Sequence, residues 1–258
     1  MARWALPGAL AMAAGCATLL PPHVPGAHLS ETRVLLHGHA LKLRLSAPAS
    51  PRGDVLLVYA TGDAGWWGKD RAIFTALARW GYPVAGFSAR EYVHHLGRDS
   101  VRPLAIAADF GRVIAAAKTA LHLPAATRTV LVGKSRGAGL AIAAAGPQQL
   151  KPELEGIIAV GLTREEEYVH RRSRGRRSAP LAMLQTYPYL PQLGPLAVAV
   201  IQSTHDDYVP ASEARQLFGQ DTPVRRLTAI EARDHNFDGA IETLYREMER
   251  SFRWIVER

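Results

Sequence analysis

Residues 129–146 constrain the fold of this 258-residue chain more than any other stretch. The segment begins with a short β-branched run, 129–132, which predicts a buried strand, and ends with an alanine-rich run, 138–145, which predicts a tightly packed helix. Between them, residues 133–137 have the pattern Gly-x-Ser-x-Gly. A strand, a sharp turn and a helix in this order are typical of a nucleophile elbow, which raises a serine hydroxyl above the sheet edge. We therefore predict that Ser135 is a nucleophile.

Two other interpretations fit part of this segment. A glycine-rich turn between a strand and a helix, without any chemistry, uses the same residue types. A phosphate-binding loop shares Gly133, Lys134 and Ser135, but its pattern Gly-x4-Gly-Lys-Ser needs a glycine where this chain has Arg128. We set the phosphate loop aside. The choice between a nucleophile and an inert turn then depends on whether the chain also supplies a base and an acid.

The N-terminus has the pattern of an export signal. Arg3 supplies a short positive region, and residues 4–15 are small and apolar but too few to span a bilayer. Cys16, the only cysteine of the chain, directly follows Ala-Ala-Gly, which looks like the lipobox before the lipid-modified cysteine of bacterial lipoproteins. We predict a signal peptide at residues 1–15 and lipidation of Cys16. An ordinary secretory signal that is cut nearby is the alternative.

The stretch between the signal and the predicted domain, residues 16–31, contains three prolines and few periodic apolar positions. This composition predicts an extended tether between membrane and domain. Alanine rather than aspartate at position 17 favours, by analogy, sorting to the outer membrane of a Gram-negative cell. We therefore predict a lipid-anchored protein that faces the periplasm.

The chain is basic. Its formal net charge is +8 at pH 7, and +7 remains once residues 1–15, whose single charge is Arg3, are removed. A basic domain tethered to a bilayer is attracted to anionic head groups, so we predict anionic membrane lipid as a partner. A lipid-anchored exported protein rarely meets nucleic acid, and we predict no nucleic-acid binding. A solubilising surface rich in arginine is the plainer explanation of the charge excess.

Strand-like and helix-like segments alternate along the rest of the chain. This alternation predicts an α/β fold with a mostly parallel central sheet and helices on both faces. In such folds the reactive groups lie on loops at the carboxyl ends of the strands. We predict a single domain over residues 32–258. The predicted strands lie at 32–37, 41–46, 54–60, 83–88, 129–132, 156–161, 196–201 and 224–230, and the predicted helices at 69–80, 100–121, 138–145, 211–218 and 237–256.

Two stretches are predicted to be irregular. Residues 91–98 are polar and predict a loop, after which Asp99 or Ser100 is the expected N-cap of the next helix. Residues 162–195 interrupt the alternation with an acidic run, a basic cluster and a Tyr-Pro-Tyr sequence. We predict that this segment is an insertion that forms a partial cap over the catalytic edge of the sheet.

A nucleophilic serine needs a base within hydrogen-bond reach, and the base needs an orienting carboxylate. In the order of α/β hydrolases, the acid and then the histidine follow the serine along the chain. Asp206 follows the strand at 196–201 and precedes x-x-Val-Pro, which favours it over Asp207; a helix cap or turn is its alternative role. His235 lies on the loop that opens the final helix, where the base belongs. We predict the triad Ser135, Asp206 and His235.

The oxyanion of an acyl-transfer intermediate needs two amide donors. One predicted donor is the backbone amide of Arg136, the residue after the nucleophile. The other belongs to the loop after the strand at 54–60, where Asp63 and Ala64 are both candidates. The glycines that flank these positions allow the backbone to approach a substrate.

Metal chemistry has little support in the sequence. His94 and His95 are adjacent, whereas the ligands of a zinc site are more widely spaced and are joined by further ligands. We expect both to be surface residues, and we predict neither a metal nor a cofactor.

Three segments carry a family resemblance. They are Thr-Gly-Asp-Ala-Gly-Trp at 61–66, Gly-Lys-Ser-Arg-Gly at 133–137 and Asp-His-Asn-Phe at 234–237. Together they resemble the family of the bacterial virulence protein VirJ, which includes the AcvB-type proteins, over roughly residues 50–256. The chain departs from the family pattern at Ala64, where glycine is usual, and at Lys134 and Arg136, where an aromatic pair is usual.

The resemblance implies a periplasm-facing α/β hydrolase and, for AcvB-type members, hydrolysis of aminoacylated phosphatidylglycerol. Ser135, deprotonated by His235, would attack the aminoacyl carbonyl; phosphatidylglycerol would leave, and water would then free the amino acid. The charged groups of this substrate suggest which side chains bind it. Candidates for the ammonium are Asp63, Asp207 and Asp234; candidates for the phosphate are Lys134, Arg136, Arg171, Arg172, Arg174, Arg176 and Arg177; and Trp66 is a further candidate substrate contact.

Two other functions fit part of these observations. One is a general carboxylesterase or thioesterase that acts on soluble acyl esters. The other is a non-catalytic periplasmic interaction protein, which the VirJ resemblance also permits through contacts with secretion-system or envelope proteins. A scaffold has no need of Ser135, Asp206 and His235 together, so an intact triad argues against the scaffold.

Overall fold

An eight-stranded sheet forms the centre of the computed structural model, which describes residues 24–96, 102–169 and 180–258. The predicted signal peptide at 1–15, the predicted lipidation site Cys16 and the basic cluster at 171–177 lie outside the described residues. In the part of the chain that is described, each helix is too short or too polar to cross a bilayer.

The central sheet is mixed at one edge and parallel elsewhere. Its strand order is β1-β2-β4-β3-β5-β6-β9-β10; β1, β2 and β4 pair antiparallel, and all pairs from β4 to β10 are parallel. β7 and β8 form a separate antiparallel pair. The predicted mostly parallel sheet is thus confirmed. The strands are β1 (Ala27–Leu36), β2 (His39–Pro48), β3 (Val55–Ala60), β4 (Val84–Phe87), β5 (Arg128–Lys134), β6 (Leu154–Val160), β7 (Glu165–Val169), β8 (Pro180–Gln185), β9 (Ala197–Ser203) and β10 (Arg225–Ile230).

Helices cover both faces of the sheet, as predicted. Alternate side chains of β3 enter two hydrophobic clusters: Leu56 and Val58 join the one that includes α3 and α4, whereas Leu57 and Tyr59 join the one that includes α1 and α6. A strand buried on both faces is apolar throughout, which explains the unbroken apolar run in its sequence. The helices are α1 (Lys69–Arg79), α2 (Ala89–His95), α3 (Pro103–Ala120), α4 (Arg136–Ala145), α5 (Ala211–Phe218) and α6 (Ile241–Val256), with 3₁₀ helices at Lys151–Glu153 and Tyr187–Leu193.

The first strand begins earlier than the sequence predicts. β1 starts at Ala27, inside the predicted tether of 16–31, and pairs with β2 from Leu36↔His39 to Ala27↔Pro48. Gly26, with a φ of 73°, makes the turn before the strand. The predicted tether is therefore too long, because the backbone groups of residues 27–31 belong to the ladder with β2.

The predicted loop at 91–98 is wrong over residues 91–95, which belong to α2. The Ser88 hydroxyl accepts a hydrogen bond from the Glu91 amide at 3.1 Å and so caps this helix. Only Tyr92 and Val93 in the second part of the helix are buried, and the remaining polar residues face outward. A short helix with so narrow an apolar stripe resembles a loop in sequence.

The long third helix starts later than predicted. α3 begins at Pro103, and its N-cap is Arg102 rather than Asp99 or Ser100, which lie outside the described residues. Proline suits this first helical position because it lacks the amide hydrogen that would have no partner there.

The segment 162–195 contains β7, β8 and the 3₁₀ helix Tyr187–Leu193. Both β7 and this 3₁₀ helix contact α4, so the segment lies against the helix that follows the glycine-rich turn. Its role as a cap over the catalytic edge stays a prediction.

Close backbone contacts require the two glycines of the Gly-x-Ser-x-Gly turn. A Cβ at Gly133 would lie 2.2 Å from the carbonyl oxygen of Gly137, and a Cβ at Gly137 would lie 2.1 Å from that of Ala60. The obstructing atoms belong to the backbone of β3 and α4, which cannot rotate away as a side chain can. The turn can therefore pack against β3 only with glycine at both positions.

We expect Gly137→Ala to lower the free energy of unfolding by about 3 kcal/mol, because the added methyl group must displace backbone. Denaturant unfolding measures the change. The matched control is Gly111→Ala on α3, where the new Cβ would meet only Leu150, at 3.8 Å. That substitution is expected to stabilise the protein by about 0.5–1 kcal/mol, since alanine is the better helix former. Equal effects at both glycines would contradict the packing argument.

Candidate active site

Ser135 stands where β5 turns into α4. Its backbone has a φ of 51° and a ψ of −119°, a conformation that is rare for a residue other than glycine. Its amide donates to the carbonyl of Val160, at the end of β6, over 2.8 Å. Its hydroxyl makes no capping hydrogen bond to α4. The strained turn therefore places the hydroxyl at the carboxyl edge of the sheet without committing it to the helix.

Asp206, which follows β9, orients His235. The Asp206 side chain is buried, and its Oδ2 lies 2.7 Å from His235 Nδ1. The amides of Tyr208 and Val209 donate to Oδ1 over 2.8 and 3.1 Å, and Gln202 Nε2 donates to Oδ2 over 3.0 Å. A carboxylate only accepts hydrogen bonds, so we assign the imidazole hydrogen to Nδ1 and the lone pair to Nε2.

The His235 imidazole lies beside the end of β6. A Cβ at Gly161 would be 3.0 Å from His235 Cε1 and 3.6 Å from Nε2. Because the Ser135 amide bonds to Val160, the residue before Gly161, the imidazole and the serine occupy neighbouring strand ends. His235 Nε2 is buried and has no hydrogen-bond partner among the described residues. This nitrogen suits a general base, whose bond to the nucleophile often tightens only when substrate binds.

The predicted oxyanion donors lie near one another. Arg136 is the first residue of α4, where backbone amides point out of the helix toward its N-terminal end. Asp63 and Ala64 are exposed on the loop after β3, and no described residue accepts a hydrogen bond from their amides. Arg136 Nε lies 2.9 Å from Asp63 Oδ1, which joins this loop to the turn at Ser135. Asp63 and Ala64 both remain candidates for the second donor.

A buried polar network beneath these loops was not predicted from the sequence. Asp70, in the first turn of α1, accepts hydrogen bonds from the Tyr59 hydroxyl at 2.6 Å and the Gly62 amide at 2.7 Å. Lys134 Nζ lies 3.9 Å from the other Asp70 oxygen and donates to Asn236 Oδ1 at 3.1 Å. Burial and the adjacent Asp70 charge raise the pKa of Tyr59 well above its usual value, so its hydroxyl stays protonated. The network joins the loop after β3 (61–66), the end of β5 and the loop that carries His235.

Lys134 therefore occupies a different place from the one expected of a phosphate ligand. Its side chain is buried among Asp70, Asn236 and Gly62. Strand alternation could have indicated this burial, because residues two apart in a strand point to the same face of the sheet. Lys134 is two residues after Val132, which packs in the hydrophobic cluster of α1 and α6. The predicted phosphate contact at Lys134 has no support in this geometry.

Trp66 likewise packs inward. Its ring meets Phe74 edge-on at 5.5 Å between centroids, and the Arg44 guanidinium lies 4.5 Å from the ring centroid. The edge of the Trp66 ring lies against Gly86, where an added Cβ would be only 2.7 Å from the ring. Trp66 thus anchors the loop after β3 (61–66) to the sheet, and its predicted substrate contact has no support here.

The two remaining aspartates proposed as ammonium ligands differ in their surroundings. Asp234 Oδ1 accepts hydrogen bonds from the amides of Asn236 and Asp238, both at 2.9 Å, and so shapes the loop that carries His235. Asp207 is exposed beside Asp206. Of the three candidate aspartates, Asp207 is the one whose carboxylate makes no hydrogen bond or ion pair with a described residue.

Glu166 is a buried acid that the sequence showed only as part of an acidic run. It lies on β7, is 5% exposed, and accepts a hydrogen bond from the Thr163 hydroxyl at 2.5 Å. Burial raises its pKa, although the Thr163 hydrogen bond and the Arg136 charge act in the opposite direction. The charge of Asp63 acts on the pKa of Glu166 in the same direction as burial.

We expect Glu166→Gln to raise the thermal midpoint by a few degrees near pH 7.5 and to change it little near pH 4. An acid whose pKa is raised by folding stabilises the folded state below its unfolded pKa and loses that contribution as pH rises through the folded pKa. Glutamine stays neutral throughout, and its oxygen still accepts from Thr163. Thermal unfolding at both pH values measures the difference.

Glu165→Gln is the control for this prediction. Glu165 is the exposed neighbour of Glu166 and accepts a hydrogen bond from Gln185 at 2.6 Å. We expect no comparable pH-dependent gain, because water solvates its charge in both states. A gain at Glu165 as large as at Glu166 would mean that net charge, rather than burial, is responsible.

The adjacent histidines contact other histidine rings. His95 stacks on His39 with 4.1 Å between ring centroids, and His94 is tilted against His95 at 5.2 Å. Within the described ranges, no three His, Cys, Asp or Glu side chains are grouped so that they could hold a metal ion.

Ser135, Asp206 and His235 follow one another along the chain on loops at one edge of a mainly parallel sheet, and this order and topology are those of the α/β-hydrolase fold. Solved structures share the fold. Est1E from Butyrivibrio proteoclasticus aligns with a TM-score of 0.66 and 14% identity, over 90% of this chain and 100% of Est1E. An alpha-beta serine hydrolase homologue from Coxiella burnetii aligns with a TM-score of 0.62 and 15% identity, over 86% of this chain and 96% of the homologue. The esterase domain of a Rhodothermus marinus protein aligns with a TM-score of 0.60 and 17% identity, over 86% of this chain and 99% of the esterase domain.

The model of the bacterial virulence protein VirJ family matches residues 54–253, and the chain belongs to that family. The resemblance seen in the sequence is therefore confirmed. No curated protein sequence matches the chain.

Proposed function

We propose that this chain is a membrane-anchored serine hydrolase of the periplasm, and that it cleaves the aminoacyl ester of aminoacyl-phosphatidylglycerol. The observation that carries the hydrolase assignment is the buried pair of Asp206 and His235, whose 2.7 Å contact directs Nε2 away from the carboxylate at the strand end next to Ser135. An inert strand-to-helix turn has no use for a buried, oriented imidazole beside it.

The reaction proceeds in two steps. His235 Nε2 takes the hydroxyl proton as Ser135 Oγ attacks the aminoacyl carbonyl carbon, and Asp206 stabilises the imidazolium that forms. Amides of the nucleophile turn and of the β3 loop donate to the oxyanion. The imidazolium then protonates the departing glycerol oxygen of phosphatidylglycerol. Water, deprotonated by His235, attacks the acyl-enzyme; the bond from the acyl carbon to Ser135 Oγ breaks, the imidazolium returns the proton to that oxygen, and the amino acid leaves.

Three features support a lipid rather than a soluble substrate. The lipobox-like sequence at Cys16 would tether the domain to a bilayer, and the formal charge of +7 that remains without Arg3 would draw it to anionic head groups. Two aromatic side chains on catalytic-edge loops are also exposed: Trp67, at 72%, and Tyr208, at 68%. Tyr208 meets the His235 ring at 4.8 Å between centroids, so this exposed surface adjoins the base. Exposed tryptophan and tyrosine are suited to the membrane–water interface.

The test uses purified protein and vesicles of phosphatidylglycerol that contain alanyl- or lysyl-phosphatidylglycerol. The free amino acid released is measured with time, and a soluble acyl ester is assayed in parallel. We expect release of the amino acid by the wild-type protein and none above background by Ser135→Ala. Hydrolysis of the soluble ester without any release from vesicles would replace the lipid substrate with a general esterase function. Activity on neither substrate would contradict the hydrolase assignment.

A further inference from the structure

Glu166 has a charge that the triad does not use. Its Oε1 accepts from Thr163, and no described residue donates a hydrogen bond to its Oε2. The side chain is 5% exposed, so bulk water does little to solvate this carboxylate. A buried acid with an incomplete set of donors costs stability unless a cation or donor joins it.

The carboxyl lies on the nucleophile side of α4. Glu166 Cγ lies 2.4 Å from the position that a Cβ at Gly139 would occupy. Gly139 lies in the first turn of α4, and its amide donates to the Ser135 carbonyl over 3.2 Å. Thr163, whose hydroxyl donates to the carboxyl, follows by three residues Val160, whose carbonyl accepts from the Ser135 amide, so the carboxyl lies at the same end of the sheet as Ser135.

The other acids near the site have different surroundings. Asp206 is bound to His235, Asp63 pairs with Arg136, and Asp234 accepts two backbone amides. Asp207 is exposed, and water screens its attraction for a cation. Glu166 instead acts from a desolvated position, where an ion pair with a ligand is stronger.

We propose that Glu166 binds the cationic amino group of the substrate's acyl part, and so selects esters of amino acids over esters of neutral acids. This inference rests on the proposed hydrolase function and assigns the residue that sets its substrate class. The ammonium donates to Glu166 Oε2 while the ester carbonyl stands at Ser135. A glycine at position 139 leaves the space that the glutamate occupies.

The experiment compares two esters with the same leaving group: the 4-nitrophenyl ester of alanine, whose amino group is cationic, and that of N-acetylalanine, whose nitrogen is acylated and neutral. Glu166→Gln is expected to lower kcat/KM for the alanine ester about tenfold or more, and to change that for the N-acetyl ester less than about twofold. Glu166→Asp, which keeps the charge, should retain part of the preference. Glu165→Gln, the exposed neighbour, should change neither ester.

The outcomes separate this inference from the function on which it rests. Loss on the alanine ester alone supports the assignment. An equal loss on both esters would show that Glu166 only maintains the fold of the site, and no loss on either would show that the ammonium binds elsewhere; both results overturn the inference and leave the hydrolase intact. If the wild-type protein cleaves neither ester and releases no amino acid from the vesicles, the proposed function fails, and the inference fails with it. If it acts on the vesicles alone, amino-acid release by Glu166→Gln is compared with wild type there, and an unchanged rate overturns the inference.

Discussion

Ser135→Ala is expected to lower kcat for ester hydrolysis by roughly 10⁴-fold or more while the protein remains folded. Without Oγ there is no acyl-enzyme, and water must attack the ester directly from the same pocket. The imidazole and the oxyanion donors remain, so a small residual rate is expected. The measurements are single-substrate kinetics on a soluble ester and covalent labelling by a fluorophosphonate probe, which should mark the wild-type protein at Ser135 and leave the variant unmarked.

Ser251→Ala is the matched control for loss of a serine hydroxyl. Ser251 is buried on α6, in the half of the helix that leads to the C-terminus, and takes no part in the site. We expect full labelling and a rate within about twofold of wild type, because a hydroxyl removed far from the chemistry affects stability only. Labelling of Ser135→Ala to the wild-type level would place the nucleophile elsewhere and end the case for this triad.

Asp206→Asn is expected to lower kcat by about 10³–10⁴-fold, even though the side chain keeps its size. Asparagine can still accept the amides of Tyr208 and Val209 through its oxygen. Its amino group would then face His235 Nδ1 as a second donor, and the imidazole would move its hydrogen to Nε2. A histidine protonated at Nε2 cannot take the proton of Ser135.

The histidine tautomer gives a readout that a purely structural loss would not change. Nitrogen NMR of His235 should show the hydrogen on Nδ1 in the wild-type protein and on Nε2 in Asp206→Asn. Asp54→Asn is the control. Asp54 is exposed and precedes β3, at the opposite end of that strand from loop 61–66, so this change should leave the tautomer and the rate unchanged. An unchanged tautomer together with full activity in Asp206→Asn would remove this aspartate from the mechanism.

The sequence predicted the parts of the fold that depend on local pattern. The apolar run of β3 and the alanine-rich run of α4 gave unambiguous elements, because a doubly covered strand and a closely packed helix each restrict residue type throughout. α2 was missed because it is short and buries few residues. The start of β1 was missed because an edge strand exposes many polar side chains, which makes residues 27–31 resemble a tether.

The same division holds for the site. Asp206 could be proposed from its spacing to Val-Pro, and His235 from its place before the final helix, because chain order in a parallel sheet determines which loops share an edge. Asp70, Lys134 and Glu166 could not be placed in this way. Each owes its role to contacts with residues distant in sequence, such as Lys134 with Asn236 and Glu166 with the surface of α4 at Gly139.

The amino-acid sequence by itself determined the class of fold, the family and the three residue types at the carboxyl edge, since short-range sterics and strand–helix alternation act on neighbours along the chain. Only the tertiary structure decided which acids and bases are buried and which of them pair with each other. Burial and charge pairing arise where separate elements pack together. A buried charge loses its hydration and requires a partner group in place of the water.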